Sequence, residues 1–333
     1  MSNAATTRGG AVRPTRSPLW IVERGILALL TVVVFAGFAI HSPVMATNAN
    51  IANILVQTSY LAIFAAAQAL VIMTRGFDLS LGSAVSTVSI LCALTMTTLA
   101  AQGAGVSAVL AGLVVALAAG GAIGGLNGFF VAWGGINPFI VTLGSMNILL
   151  TLSTTISGGF PVAPLPEAFR ALAYAEPAGI PLSVLCAALA LVGLQIALSR
   201  TVFGRAVLLI GSNARATIMG GMAYRFHLVS AYVVCSALVG LGAFLMTART
   251  GSGEPNLGGN LTLETIAAAV LGGIRLRGGQ GDMLAPLLGA VFVTVLSNGM
   301  NLAGIDGYLQ GVFLGLVIIA ALSLDRLRSK ASA

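Results

Sequence analysis

Ten stretches of this sequence, 14 to 28 residues long, carry almost no charge, and their recurrence leaves few folds open. They fall at about 19–40, 51–74, 81–101, 106–133, 138–157, 181–198, 228–247, 261–274, 284–303 and 307–324. A hydrocarbon layer about 30 Å thick takes roughly 20 apolar residues of helix to cross. Inside it, only helices and closed barrels satisfy every backbone hydrogen bond. Barrel strands alternate apolar and polar residues over about ten positions, and runs such as 26–40 and 109–119 do not alternate. The expected fold is therefore all-α: a polytopic integral membrane bundle of about ten transmembrane helices. Composition agrees, with 8% charged residues and a mean hydropathy of +1.00 against roughly 25% charged residues in a soluble domain. Residues 1–18 and 326–333 read as tails around a membrane domain at 19–325. The first segment has the flanks of a secretory leader, but with so many later spans it reads as an uncleaved first helix.

The formal charge of +7 does not point to nucleic acid, because its distribution matters more than its total. Basic residues sit at segment ends, with no basic face interleaved with aromatics. Lys and Arg in short loops stay cytoplasmic. Threading all ten segments with the N-terminus inside puts fourteen of the sixteen basic residues on that side. These are Arg8, Arg13, Arg16, Arg24, Arg75, Arg200, Arg205, Arg215, Arg225, Arg275, Arg277, Arg326, Arg328 and Lys330. Only Arg170 and Arg249 fall outside, where they are candidates to dock a partner. The expectation is a bacterial inner-membrane protein with both termini cytoplasmic.

Nothing in the chain suggests a catalytic, cofactor or metal site. A phosphate-cradling loop needs a lysine after its glycines, and the single lysine, Lys330, stands near the chain end. The histidines, His41 and His227, are far apart. Cys92, Cys186 and Cys235 lie in apolar segments as small buried hydrophobes. All nine acids map to loops or segment ends, which argues against a proton-driven carrier, since ionisable groups inside a membrane mark ion paths. The spans do hold neutral polar groups. Gln57 and Gln68 lie near one helical face, Asn127 is in the fourth span, and Thr294, Asn298 and Asn301 share a face of the ninth. These amides suit either helix–helix hydrogen bonds or a path for an uncharged, hydroxyl-rich solute.

Two further features stand out. Gly120, Gly124 and Gly128 repeat every four residues, as do Gly121 and Gly125, which is the pattern that lets helices approach closely. The eighth segment, 261–274, reaches only about 21 Å as a helix and ends in GGIRLRGGQG. Short, glycine-interrupted spans often line a pathway, although a tilted ordinary helix would read the same way. The longest cytoplasmic loop, 199–227, carries four arginines, two of which flank a short amphipathic stretch.

Three motifs carry a resemblance that covers the chain from about Asn50 to Arg326. They are GFDLSLGS at 76–83, FGR…IGSN…A at 203–216, and IAAAVLGGIRLRGGQG at 266–281. In this order and spacing the sequence resembles the permease subunits of bacterial ABC importers for sugars of the ribose, xylose and galactofuranose type. Arg75 departs from that pattern, standing where the family has glycine. The resemblance implies an arrangement like that of the cobalamin importer, a second permease copy, a cytoplasmic ATPase carrying the ATP-binding cassettes, and a periplasmic sugar-binding protein. It assigns ATPase coupling to Gly204, Arg205, Gly211, Asn213 and Ala216 on a short coupling helix. It also marks Gly76, Asp78, Ser80 and Gly82 as a cytoplasmic motif, where Asp78 is expected to cap the helix beginning near Leu81. A self-sufficient secondary carrier or channel for a small neutral solute is the alternative.

Overall fold

The computed structural model describes residues 18–331, so Arg8, Arg13 and Arg16 lie outside the described residues. Thirteen α-helices occupy the described residues: α1 (Pro18–His41), α2 (Asn48–Met73), α3 (Leu81–Ala101), α4 (Val106–Ala132), α5 (Pro138–Ser157), α6 (Glu167–Leu172), α7 (Leu182–Arg200), α8 (Val202–Ser212), α9 (Ala214–Met219), α10 (Tyr224–Thr250), α11 (Leu261–Leu271), α12 (Leu284–Leu302) and α13 (Gly307–Ala331). No strand occurs among the described residues. One isolated bridge pairs Val162 with Gly253. Eight helices, α1 to α5 with α7, α10 and α12, are long and apolar enough to cross a bilayer. The other two expected spans are helical too, but their apolar stretches are shorter, Leu261–Leu271 and Gly307–Ala320. α13 runs on to Ala331, through most of the expected C-terminal tail.

Local sequence sets the helix ends. Thr47 caps α2 by accepting from the Asn50 N–H at 3.3 Å. Asn137 caps α5 ahead of Pro138, and Gly158 ends that helix at φ +64°. α2 is the central post, in contact with α7, α10, α11 and α12. Every residue from Thr58 to Met73 is buried, as expected of a helix apolar on all sides.

The glycine ladder of α4 meets α10 in the most extensive helix pair of the fold. A Cβ added at Gly120 or Gly124 would strike the carbonyl oxygens of Ser236 and Tyr232, and Gly128 lies against Val229. Gly240 of α10 returns the contact to the Ala116 carbonyl. The second ladder, Gly121 and Gly125, faces only Val233 side-chain atoms at 3.9 and 3.7 Å, so it is off the seam.

The eighth segment departs from an ordinary span. Its helix, α11, has 11 residues, about 16 Å, and is preceded by ten residues of irregular backbone, 251–260. That stretch runs down α3 against the helix direction: Gly253 packs on Ala93 and Ser89, Gly258 on Gly82, and Thr262 reaches the Leu79 carbonyl. Hydroxyls tie it down. Ser89 Oγ accepts from Glu254 N at 3.2 Å, Ser86 Oγ from Gly258 N at 2.9 Å, and Ser153 Oγ donates to Pro255 O at 3.1 Å. The segment is a short helix preceded by irregular, turn-rich chain. Glu264, in the first turn of α11, consequently sits farther inside than an acid at a segment end would.

The α4–α10 seam gives a direct test. Gly124→Val should destabilise the detergent-solubilised protein by about 1–3 kcal/mol through overpacking, whereas Gly121→Val, whose Cβ meets only a Val233 methyl at 3.9 Å, should change little. Thermal melts of the two variants make the comparison, and equal losses would place the seam elsewhere.

Candidate functional site

The arginines of the described loops gather at one end of the bundle, with Arg170 and Arg249 at the other. At the basic end the three motifs, far apart in sequence, meet. α2 ends at Met73, with Thr74 donating its hydroxyl to Val71 O at 2.7 Å. Arg75 then adopts φ +65°, a left-handed conformation that costs a residue with a Cβ roughly 1–2 kcal/mol. This conformation explains why glycine suits the position. Arg75 offsets the cost with its side chain: Nε donates to Arg277 O at 2.8 Å and Nη2 to Ser212 O at 2.9 Å. Gly279 N donates to Met73 O at 2.8 Å. Gly211 fits between them, since a Cβ there would strike Met73 O and Gly279 N. The ends of α2 and α8 and the loop after α11 thus form one joint without slack.

Standing on that joint are α8 and α9. Thr201 caps α8 by accepting from Gly204 N at 3.2 Å, and Gly204 lies flush on the Ala197 and Leu198 backbone. Ala206, Val207 and Ile210 face inward while Arg205 and Leu209 face out. Asn213 leaves helical geometry at φ −156° and caps α9 by accepting from Ala216 N at 3.0 Å. In α9 only Thr217 is buried. Arg215, Ala216, Ile218 and Met219 are exposed, Met219 to 89%. Instead of one coupling helix the loop holds two, hinged at Asn213. Together they present a basic surface with exposed apolar side chains, the composition of a protein contact.

Asp78 does something other than the capping expected of it. Its Oδ1 accepts from Ser80 N at 2.9 Å and Ser80 Oγ at 2.6 Å, one residue short of α3. Ser80 Oγ accepts from Asn127 Nδ2 at 3.0 Å, and Asn127 Oδ1 accepts from Ser145 Oγ. Thr142 donates to Phe77 O at 3.3 Å. The turn is therefore bolted to α4 and α5, and no Lys, Arg or His pairs with Asp78 among the described residues. Gly76 lies beside the Tyr232 hydroxyl and Gly82 beside Gly258, with no room for a Cβ at either.

The five expected pathway amides are not brought together. Asn298 and Asn50 exchange paired hydrogen bonds of 2.9 and 3.1 Å, tying α12 to α2. Asn301 accepts from Gln310 at 2.7 Å, and Asn127 belongs to the Asp78 network. Gln68 is wholly enclosed with neither amide atom bonded, and Gln57 is half-buried. Arg170 and Arg249, by contrast, do converge. Both line one cavity of about 470 Å³ at the opposite end, with Glu167 and Tyr174, and Arg249 Nη2 bonds Asn53 Oδ1 at 3.2 Å.

Sequence reasoning missed the hydroxyls that hold the broken span, Ser86, Ser89, Ser153 and Thr262. The signal was the polar, glycine-rich 251–260 run beside serines three apart on α3. It also missed the 2.7 Å ion pair of Arg24 with Asp282, whose Oδ1 caps α12.

Comparison with known proteins adds kinship. Residues 50–322 match the family described as branched-chain amino acid transport system, permease component. The chain is 33% identical over 326 residues to the ribose import permease protein RbsC of Escherichia coli (strain K12), covering 96% of this chain and 98% of the relative. It is 30% identical to the D-allose transport system permease protein AlsC of the same strain, over 96% of each chain. It is 32% identical to the ribose import permease of Bacillus subtilis (strain 168), over 91% of each. No solved structure matches the chain.

The Asp78 turn makes its own prediction. Asp78→Asn keeps an oxygen for both Ser80 bonds and should cost little. Asp78→Ala orphans the buried Ser80 N–H and should cost about 1–3 kcal/mol. Equal losses in thermal stability would assign the role to the charge itself.

Proposed function

This chain belongs to the transport-system permease family that its residues 50–322 match, and from that membership we propose that it is the translocation subunit of an ATP-driven importer for a monosaccharide or polyol. Such a subunit binds no nucleotide of its own. Hydrolysis falls to a separate ATPase with two ATP-binding cassettes, and delivery of solute to a periplasmic binding protein. The basic end is cytoplasmic on this reading, both termini lie there, and two copies of the chain form the transporter in a bacterial inner membrane.

The observation that carries the proposal is the joint of the three motifs. A chain without an engine needs a rigid contact through which another subunit's motion can act. The exposed α8–α9 pair, seated without slack on α2 and on the loop after α11, is built as such a contact. Arg205, Asn213 and Ala216 belong to its outer surface or its hinge, while Gly204 and Gly211 make its seat. At the opposite end, Arg170 and Arg249 offer cationic groups in one cavity for carboxylates of the binding protein. Rim charges of that kind act chiefly on association rate and salt sensitivity.

The family description names branched-chain amino acids, whereas the names of the curated relatives name ribose, allose and arabinose. The near full-length coverage of the sugar permeases favours a neutral polyhydroxylated solute. In cells supplied with a cognate binding protein and ATPase, uptake of radiolabelled ribose, allose or arabinose should exceed that of leucine. It should survive an uncoupler and stop on ATP depletion. Uptake of leucine with all three sugars inert would overturn the substrate class.

Arg205→Glu reverses a charge on the α8–α9 surface without touching its buried face. The variant should fold and insert, yet lose co-purification with the ATPase or hydrolyse ATP without transport. Normal co-purification together with normal transport would reduce Arg205 to a topology-setting charge.

A further inference from the structure

The broken span lies where irregular polar chain cannot face lipid, and part of it is uncovered. α5 serves as a ruler, since its 20 residues rise about 30 Å. Pro255 is bonded to Ser153, four residues from the α5 end remote from the joint, so it lies about 6 Å inside that end. Thr262 and Gly258 sit on the Leu79–Gly82 turn, which the Ser80–Asn127–Ser145 chain sets level with Ser145. Ser145 is seven residues into α5, or about 10 Å from its other end. Residues 256–262 therefore cross the middle of the bilayer.

On that stretch Asn256, Gly259 and Asn260 are exposed, and neither asparagine side chain makes a hydrogen bond among the described residues. Glu264 follows one turn after Asn260 and is half-buried. Its neighbours Ser86, Ser89 and Ser153 satisfy only the inner side of the segment. Hydrocarbon offers an exposed amide or peptide nothing in return, so this face must meet water or protein. Two free amides, a carboxyl group and open glycine backbone make a set of donors and acceptors of the kind that hydroxyl groups can bond.

We propose that residues 256–264 form the polar wall of the solute passage, with Asn256, Asn260 and Glu264 hydrogen-bonding a polyhydroxylated solute at mid-membrane and a second copy of this chain closing the far side. The proposal rests on the reading of the chain as a translocation subunit. It places the passage away from Asn298, Asn301 and Asn127, whose amides are already committed to helix–helix bonds.

Water access tests it. Asn256→Cys and Asn260→Cys, each in a Cys186→Ser background and assembled with the ATPase, are exposed to a membrane-impermeant methanethiosulfonate. Val114→Cys and Leu189→Cys, exposed to 64% and 74% on apolar faces of α4 and α7, serve as lipid-facing controls. Asn256→Cys and Asn260→Cys should be modified at least tenfold faster than the controls, and modification should cut transport at least tenfold. Gly259→Cys, where an added Cβ has only the Asn256 carbonyl oxygen at 3.8 Å, gives the same readout if either asparagine variant fails to assemble. Labelling no faster than the controls, or fast labelling that leaves transport intact, would overturn the proposal. Rapid labelling that blocks transport of some other solute would support the wall while the sugar reading fell, so the two failures are separable.

Discussion

A bilayer supplies no hydrogen bonds, so every backbone group that this chain carries into the hydrocarbon must be answered by the chain itself. Regular helices answer their own. The 251–260 segment cannot, and the surrounding structure is arranged to answer for it. Ser86 and Ser89 take its N–H groups, Ser153 reaches one of its carbonyls, and Gly82 clears the space for Gly258 to lie against α3. Thr247 bonds Ser89 from the far side at 2.7 Å. Each hydroxyl costs α3, α5 or α10 little, because a serine or threonine in a membrane helix can also bond its own preceding turn. What the arrangement yields is a short stretch of irregular chain at mid-depth, rigidly held on one side and open on the other.

Close approach elsewhere follows from the same economy. Association of helices in lipid gains nothing from hydrophobicity and must come from packing and hydrogen bonds. α4 and α10 use packing, their backbones drawn together by Gly120, Gly124 and Gly240. α2 and α12 use a reciprocal Asn50–Asn298 pair, and α4 and α5 share the Asp78 turn through Asn127 and Ser145. α1 is fastened to α12 by the Arg24–Asp282 ion pair near the basic end. The bundle is thus stapled at several depths by different chemistry, with the fully buried α2 as the element the others share.

Much of this was legible beforehand. Hydropathy placed a helix in each of the ten segments, eight of them long and apolar enough to cross a membrane, with α3 and α5 matching to the residue, because an uncharged run of about 20 residues has few alternatives in lipid. The α4 seam was readable from glycines spaced four apart, although only the structure separates Gly120 and Gly124 from Gly121 and Gly125, since both rows obey the same spacing. Motif order carried the resemblance, yet not the joint: Arg75 contacts residues 137 and 202 positions away, and nothing local encodes such pairings. Of the two roles open to the amides, bonding within the bundle is the one that Asn127, Asn298 and Asn301 take, and spacing alone does not choose between them. Asn298 looks identical in sequence whether it faces a solute or Asn50. Glu264 reads as an acid at a segment end, because the polar 251–260 run marks an interruption without showing how deep the next helix begins.

Geometry also constrains how far a motion at the basic end can travel before it is absorbed. α8 is seated on the α2 terminus with no space for a methyl group at Gly211, and Arg75 joins both Ser212 and Arg277. Arg277 belongs to the loop that leaves α11, and Gly279 of that loop is bonded to Met73. A displacement of α8–α9 therefore has two short routes, one into the central helix and one into the short α11. α11 is the more yielding of these. It is 11 residues long, ends at Gly272 and Gly273, and is preceded by turns that make only isolated backbone hydrogen bonds of their own. α2 is enclosed by four helices over most of its length. A push at the joint should thus be expressed chiefly as movement of α11 and of the polar face at its head. The strained backbone of Arg75 then makes sense as part of a strut, because glycine at that position would relax the turn but would leave the hinge at Asn213 connected to α11 by one bond fewer on each side.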